Sequence, residues 1–409
     1  MKSFLFILCF LSFLSIFTSC LTKPDPEWSK WRGPHANGII TGVDLAPEKL
    51  DSAHIIWTKD IGFGHSSVTV SGNKCFASGW KEWVNGNDTI TKSTLYCLHT
   101  KNGREIWSFH YPSKKTNFPG PRSTPVVDDE RVYTLGWEGV LYCLETKTGT
   151  LLWQTDLAKD SLTVPDDWGY NPSPVIYDHL VLLNLNQSGI ALDKYSGQVV
   201  WNSPPKKSHY ASVQIVNNNG QSLGVFMSDT TMYFVEPLTG KVAFSHARLS
   251  TKGMENDVMV PYPGYVYTSN ALYEMLDNGL ILKWQNDTVS SSFRTGLVQG
   301  DYAYQFSLFK NKHDLYCVDL KSGNPVWKTD LGRWGSLMAV NDYLVVLTGL
   351  GKVLIARATP EHFQPIKELQ VFSSENKEEN WCWAQPSFSS GKLFIRNSKG
   401  EMACLDLRR

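Results

Sequence analysis

The sequence lacks charge of one sign: 39 Lys and Arg stand against 39 Asp and Glu in 409 residues. No global basic field exists to hold a nucleic acid, so that class of partner is excluded. Helical periodicity of useful length is also missing. The eight cysteines show no zinc-ligand spacing and no Cys-x-x-Cys-His haem attachment. The apolar run from Phe4 to Phe17 falls short of the roughly 18 residues that a membrane-spanning helix needs. With Lys2 before it and Thr18-Ser19-Cys20 behind it, the run reads as a secretory signal.

What is present is a repeated phrase: an apolar strand, an acidic residue, a Ser/Thr/Asn-Gly turn, and an aromatic a few positions on. It reads Leu141-Tyr142-Cys143-Leu144-Glu145, Thr148-Gly149 and Trp153 in one copy. In another it reads Leu315-Tyr316-Cys317-Val318-Asp319, Ser322-Gly323 and Trp327. Looser copies end at Trp107, Trp201, Phe244 and Trp284, and successive anchors lie 40 to 48 residues apart. A period in that range signals a repeat architecture.

Between anchors, short runs of strand formers alternate with turn residues, as at 123–127, 131–136, 140–144 and 151–153. Four strands per period make each repeat an antiparallel meander. The turn glycine takes the positive φ of a tight hairpin, and the acidic residue accepts from the turn's backbone. The anchor aromatic lies on the outermost strand, where it buries area against the next sheet. One such sheet cannot hide both faces, and radial stacking into a propeller leaves the fewest open edges. A degenerate copy runs from Leu354 to Leu369, and the last phrase, Met402 to Leu407, stops before its turn and anchor. Ile55 to Ile61 is an anchor strand with nothing before it, and Trp57 precedes Trp107 by 50 residues. The expected fold is all-β: an eight-bladed β-propeller of four-stranded antiparallel blades, closed by pairing of the N- and C-terminal strands.

A closed ring of repeats grows by addition within one domain. The predicted organisation is a lipoprotein-type signal peptide over 1–19, an N-terminal tether and strap over 20–50, and the propeller over 51–409. Cys97, Cys143, Cys317 and Cys404 fill the same slot in different blades, so they are expected to be core residues too far apart to bond. Cys75 and Cys97 fall in one blade on adjacent strands, which leaves a disulfide open. Val132 at the Cys75 position of the next blade favours plain core.

The phrase of strand, Asp-x-x-Thr-Gly and Trp resembles the repeat of the pyrroloquinoline-quinone (PQQ)-like eight-bladed propellers, over essentially all of Ile55 to Leu407. Trp31-Arg32-Gly33-Pro34 with Gly38, and Gly120-Pro121-Arg122-Ser123-Thr124-Pro125, resemble a secreted WRGP-type branch of that family. Cys20 behind small residues resembles the bacterial lipobox, which implies lipidation at Cys20 and a membrane-anchored lipoprotein of the bacterial cell envelope. The family includes PQQ- and calcium-dependent alcohol dehydrogenases and the non-catalytic lipoprotein BamB of the outer-membrane assembly machinery. Fold alone does not choose between them.

A quinone dehydrogenase holds a flat anion between planar walls, binds Ca²⁺ through several oxygens and places a carboxylate base. The adjacent cysteine pair typical of those enzymes is missing, and the nearest aromatic cluster is Trp381-Cys382-Trp383. The expectation is therefore a non-catalytic envelope scaffold or binding module, without a cofactor, whose propeller face meets a protein or polymer partner. PQQ and calcium enter only in the dehydrogenase alternative, with Asp257 or Glu255 as the base and Glu255, Asn256 and Asp257 as cation ligands. The bland reading of those three is a solvated loop. A further alternative is a non-catalytic binder of a carbohydrate or other small ligand.

Loops that join an outer strand to the next inner strand gather on one face around the axis. They carry the candidate ligand residues His65, Arg122, Trp168, Tyr170, Asn171, His209, Tyr210, Asn256, Arg294, Trp334, Trp381 and Gln385. Arg122 and Arg294 have an alternative as ion-pair partners of Glu255 or Asp257, and Trp168 and Trp334 as caps on sheet ends. Trp31-Arg32-Gly33-Pro34 is expected to be a strap on the propeller, its Trp offering area and its Arg a carboxylate pair.

Overall fold

The computed structural model describes residues 26–85, 88–207, 210–228, 230–248, 257–291, 294–307 and 313–409. Eight antiparallel sheets surround one axis. In chain order they are blade 1 (69–112), blade 2 (126–156), blade 3 (175–202), blade 4 (214–247), blade 5 (259–285), blade 6 (297–329), blade 7 (335–370) and blade 8 (387–406). Blade 8 takes its outermost strand from Ile55–Asp60, which pairs antiparallel with Glu401–Asp406. Trp57 lies opposite Cys404 and Asp60 opposite Glu401, so the two chain ends close the ring. Closure removes the open edges that would invite pairing with other chains. Blade 5 departs from the pattern, because its inner strand is reduced to the single bridge Met259↔Tyr267. Among the described residues no helix is long and apolar enough to cross a membrane.

The anchor tryptophans join each blade to the next. Trp57, Trp107, Trp153, Trp201, Trp284 and Trp327 donate Nε1 to carbonyls of Thr100, Thr146, Lys194, Pro237, Leu320 and Thr359 at 2.7 to 3.1 Å. Each carbonyl belongs to the following blade. A feature hidden in the sequence aims these rings. In every blade a β-bulge falls just before the anchor position, as where Leu151 opposes Leu144 and Trp153 opposes Cys143 with Leu152 left over. The extra residue re-aims the next side chain. It also explains why Ile56, Ile106, Leu152, Val200, Val326 and Ile366 stay exposed on the rim.

The seam between blades 4 and 5 is built differently. Phe244 has no N–H to donate, and it stacks inside its own blade on Phe234 at 4.3 Å. Asn218 crosses the seam instead, donating to the carbonyl of Leu276 at 3.0 Å.

All six described cysteines are buried free thiols. Cys75 stands opposite Leu98, and Phe76 opposite Cys97. The one-residue offset sends the two sulfurs to opposite faces of the sheet, so the disulfide left open by the sequence does not form.

Residues 26–50 do more than lie on the propeller. Glu27 accepts from Ser71 and Gly72 at the inner turn of blade 1, and the Trp28 carbonyl accepts from Val70. The chain then climbs the axis to Arg32, turns, and returns as Ile39–Ile40, a fifth strand parallel to Gly335–Val340 of blade 7. It leaves past Asn341, whose side chain bonds Gly42 and Val43. The strap is thus a hairpin inserted into the axial channel, and Arg32 at its tip is 1% exposed.

Candidate functional site

One position per blade, just before the inner strand, builds the floor of the site. The backbone N–H of Ser67 donates to Thr124 Oγ1, Thr124 to Ser173 Oγ and Ser173 to Ser212 Oγ, each at 3.0 Å. Ser212 then donates to Asp257 Oδ1 at 2.6 Å, and Asp257 to Thr295 Oγ1 at 2.9 Å. The belt satisfies inner-strand N–H groups that lie beyond the ladders. In blades 7 and 8 the side chains of Ser336, already inside its strand, and Gln385 donate instead to the carbonyls of Ala384 and Leu337.

Asp257 is therefore the acidic version of a Ser/Thr slot, and its second oxygen is what the change adds. Oδ2 accepts the indole N–H of Trp31 at 2.6 Å and lies 3.9 Å from Arg32 Nε. Burial pushes the carboxyl above its ordinary pKa, partly offset by Arg32 and the Trp31 bond. Arg32 donates to the carbonyls of Ala36, Thr295 and Gly296, and burial brings its pKa down to about 10. Arg32 of the strap thus meets a carboxylate, as expected of it, in Asp257.

Above this floor opens a cavity of about 320 Å³. Its walls include Trp31, Phe118, Trp168, Trp381 and Trp383, and its polar residues include His65, Arg122, Asn171, Tyr210 and Asp257. Trp168 is 40% exposed and meets Phe118 edge to face, with Arg122 5.8 Å from its ring centre. Arg122 donates to the carbonyls of Phe118 and Gly120. Burial lowers its pKa, and Tyr210 and Asp166 pull it back.

His65 is uncharged near neutral pH, because burial and then Arg122 and Arg396 hold its pKa well below the usual imidazole value. The tautomer follows from Ser398. Its hydroxyl donates to the Trp381 carbonyl at 2.7 Å, so at 3.2 Å it accepts from His65 Nδ1. Nε2 is left as a bare acceptor with no partner among the described residues. Asn171 is in the same position. Its Nδ2 donates to the Gly169 carbonyl, which fixes the amide, and Oδ1 has no partner among the described residues.

Other candidate residues lie elsewhere. Tyr170 is core, packed with Leu135, Leu141 and Leu183, its hydroxyl bonded to Thr163. Gln385 sits lower on the axis, its amide nitrogen beside Gly38 of the strap. Trp334 is buried beside Trp381 and Trp383, with ring centres at 4.9 and 4.8 Å. Arg294 lies 4.8 Å from the Trp334 and Trp383 rings, and burial with the nearby Arg333 brings its pKa down to about 9. His209, Glu255, Asn256 and Cys20 lie outside the described residues. Sequence reasoning took Trp31 for strap alone and passed over Phe118, Ser173, Ser212 and Thr295. The signal available for the last three was their shared slot before each inner strand. Among the described residues no three His, Cys, Asp or Glu side chains converge as metal ligands would.

A family profile described as outer membrane protein assembly factor BamB matches residues 91–329, more than half of the chain. The chain belongs to the BamB family of PQQ-like propellers. No curated protein matches it. Among solved structures, BamB from Moraxella catarrhalis is 13% identical, with a TM-score of 0.59 over 86% of this chain and 96% of that one. A europium-containing methanol dehydrogenase is 9% identical, with a TM-score of 0.64 over 90% of this chain and 89% of that one. The computationally designed Ika8 protein is 10% identical, with a TM-score of 0.61 over 89% of this chain and all of that one (100%). Identities this low carry the fold alone, so BamB-family membership leaves the role of the cavity to its own chemistry.

Proposed function

We propose that the chain is an exported, non-catalytic binding module of the bacterial cell envelope, tethered through Cys20, which offers its axial cavity to an envelope protein or polymer. The observation that carries this reading is the state of Asp257. Both of its oxygens are engaged, one by the Ser212 N–H and one by Trp31, with Arg32 alongside. A general base stands free to meet a substrate proton, whereas Asp257 is 4% exposed and its carboxylate ties the strap to the belt. The cavity's described donors also fit PQQ and its calcium poorly. The quinone is a flat tricarboxylate, yet Arg122 is the one cation among the described lining residues, and two lining residues offer acceptors. Membership of the BamB family supports an envelope location.

The test is turnover. Purified protein supplied with PQQ and Ca²⁺ is assayed with a redox dye across a panel of alcohols and sugars. No cofactor-dependent activity is expected. Robust activity that disappears in Asp257→Ala overturns the reading in favour of a dehydrogenase.

A further inference from the structure

We propose that the part of the axial channel between the strap's turn and blades 4 to 6 is a second binding site, which takes an extended, uncharged segment of a partner polypeptide as an added strand. This site goes beyond the reading of the tryptophan-walled cavity and stands apart from it, since the two share no lining residue.

The strap itself shows how the inner strands bond to a chain in the channel. Where an inner strand ends in a two-residue turn, the residue before the closing pair points its N–H away from its own blade, toward the axis. Val70, Val127 and Ala339 hold that position in blades 1, 2 and 7. Their N–H groups donate to the strap carbonyls of Trp28, Ser29 and Gly38 at 2.8 to 2.9 Å. In blades 4 and 6 the same position falls on Asn217 and Val298, and the alternation of the ladder turns Ile215 the same way. These three N–H groups have no acceptor among the described residues. An open edge of this kind is a template for a further strand.

Room for that strand is already there. Blade 5, whose inner strand is reduced to the bridge Met259↔Tyr267, leaves a cleft of about 220 Å³ between the inner strand of blade 4, Val298 of blade 6 and the strap turn at His35 to Asn37. His35 and Asn37 are exposed and Val260 is 40% exposed, so the cleft opens to solvent. One turn of α-helix, about 10 Å across and 5.4 Å high, would fill roughly 400 Å³. The space therefore selects a strand over a helix.

The lining sets the chemistry of the segment. Ile215, Val216, Met259, Val260 and Val298 offer apolar area, and no Asp, Glu, Lys or Arg is among the described residues that line the cleft. A charged side chain brought in here would leave water without a partner, so the segment that fits is neutral and apolar on the face it turns inward. The carbonyl of Ile215 is met by the side-chain amide of Gln214 at 3.3 Å, a long bond that a partner's backbone N–H replaces. Main-chain bonds then supply affinity and the apolar floor supplies preference, as in other cases of strand addition. The strap's own limb on blade 7, Ile39–Ile40 in a stretch without charge, is a segment of this type already held in the same channel.

The experiment uses the purified protein with its strap in place and, as probe, a capped synthetic peptide with the sequence of residues 37–43. Binding is followed by calorimetry, and its place by hydrogen exchange read by mass spectrometry. Saturable binding is expected, with new protection over residues 214–218. Val260→Lys, which puts a charge into the cleft from an exposed position, and Ile215→Pro, which removes an axis-facing N–H and spares the ladder, should each weaken it at least tenfold. Peptides carrying Ile39→Glu or Ile40→Pro should bind at least tenfold more weakly than the parent. Melting curves confirm that each protein variant is folded, and Val260→Lys keeps the test open if Ile215→Pro fails to fold. No binding at millimolar peptide overturns the proposal. So does binding that Val260→Lys leaves unchanged, equal binding of the Ile39→Glu peptide, or protection confined to residues 335–340, where the peptide would merely displace the strap. Protection of residues 214–218 by chitohexaose and not by the peptide overturns it in favour of a glycan. Loss of the peptide site leaves the non-catalytic reading of the cavity standing, and PQQ-dependent turnover sinks that reading without touching the peptide site.

Discussion

Trp107 of blade 1 lies on Gly149 of blade 2. Its indole N–H donates to the Thr146 carbonyl at 3.1 Å, and a Cβ on Gly149 would come within 2.6 Å of the ring. The same contact recurs between Trp57 and Gly103, Trp153 and Gly197, Trp201 and Gly240, and Trp284 and Gly323. The turn glycine therefore answers two demands at once. It takes a φ of +75° at Gly149, and it leaves room for the neighbouring blade's tryptophan.

Gly149→Ala separates those demands when compared with Gly42→Ala. Gly42 has nearly the same φ, +74°, but nothing within 4 Å of a built Cβ. Backbone strain alone is expected to cost Gly42→Ala about 1–2 kcal/mol. Gly149→Ala carries that and a further ~1–3 kcal/mol of overpacking against Trp107. Thermal and denaturant unfolding of the two variants measures the difference. Equal losses would show that the ring contact contributes nothing to the seam.

His65 gives the protein a pH dependence of known sign. Its folded-state pKa lies well below the ordinary imidazole value, so below about pH 6.5 the unfolded chain binds a proton that the folded chain does not. Stability is full above that pH and falls as acid is added, by up to about 1.4 kcal/mol per pH unit for one proton. Relative to His65→Gln, the wild-type protein should lose melting temperature between pH 6.5 and pH 5. Parallel curves for the two proteins across that range would remove His65 as the cause.

Anchoring is checked by fractionation. The proposed lipid on Cys20 would hold the ring at the membrane through one covalent attachment, so Cys20→Ser should move the protein from the membrane pellet to the soluble envelope fraction. Continued sedimentation with membranes would show that another contact holds it there.

The repeat was legible because each copy states it in chemistry that acts locally. Strands alternate, glycine takes its turn, and a tryptophan ends the phrase, so the ring of eight and its closure by Ile55–Asp60 follow from counting. The bulge before each anchor was not legible, since Leu152 reads as an ordinary strand residue until its register with Leu144 is known. The axial face was placed by topology, which brought His65, Arg122, Trp168, Asn171, Tyr210, Asp257 and Trp381 to one cavity. What topology could not supply was the state of Asp257. Its partner Trp31 lies 226 residues away, and no local pattern announces a bond across that separation. Tyr170 was misplaced for a related reason. A loop tyrosine reads the same whether it faces the axis or folds back onto the core, and Gly139, whose built Cβ would come within 2.5 Å of its ring, leaves it room to fold back.

The inserted hairpin also gives the molecule a polarity. Glu27 and Trp28 enter beside the inner turn of blade 1, at Ser71 and Gly72, while the strap's tip meets Asp257 below the cavity. The end that leads back toward Cys20 and the mouth of the cavity therefore lie on opposite faces of the disc. A protein tethered at Cys20 would stand with its tryptophan-lined mouth turned away from the lipid, toward whatever fills the space beyond.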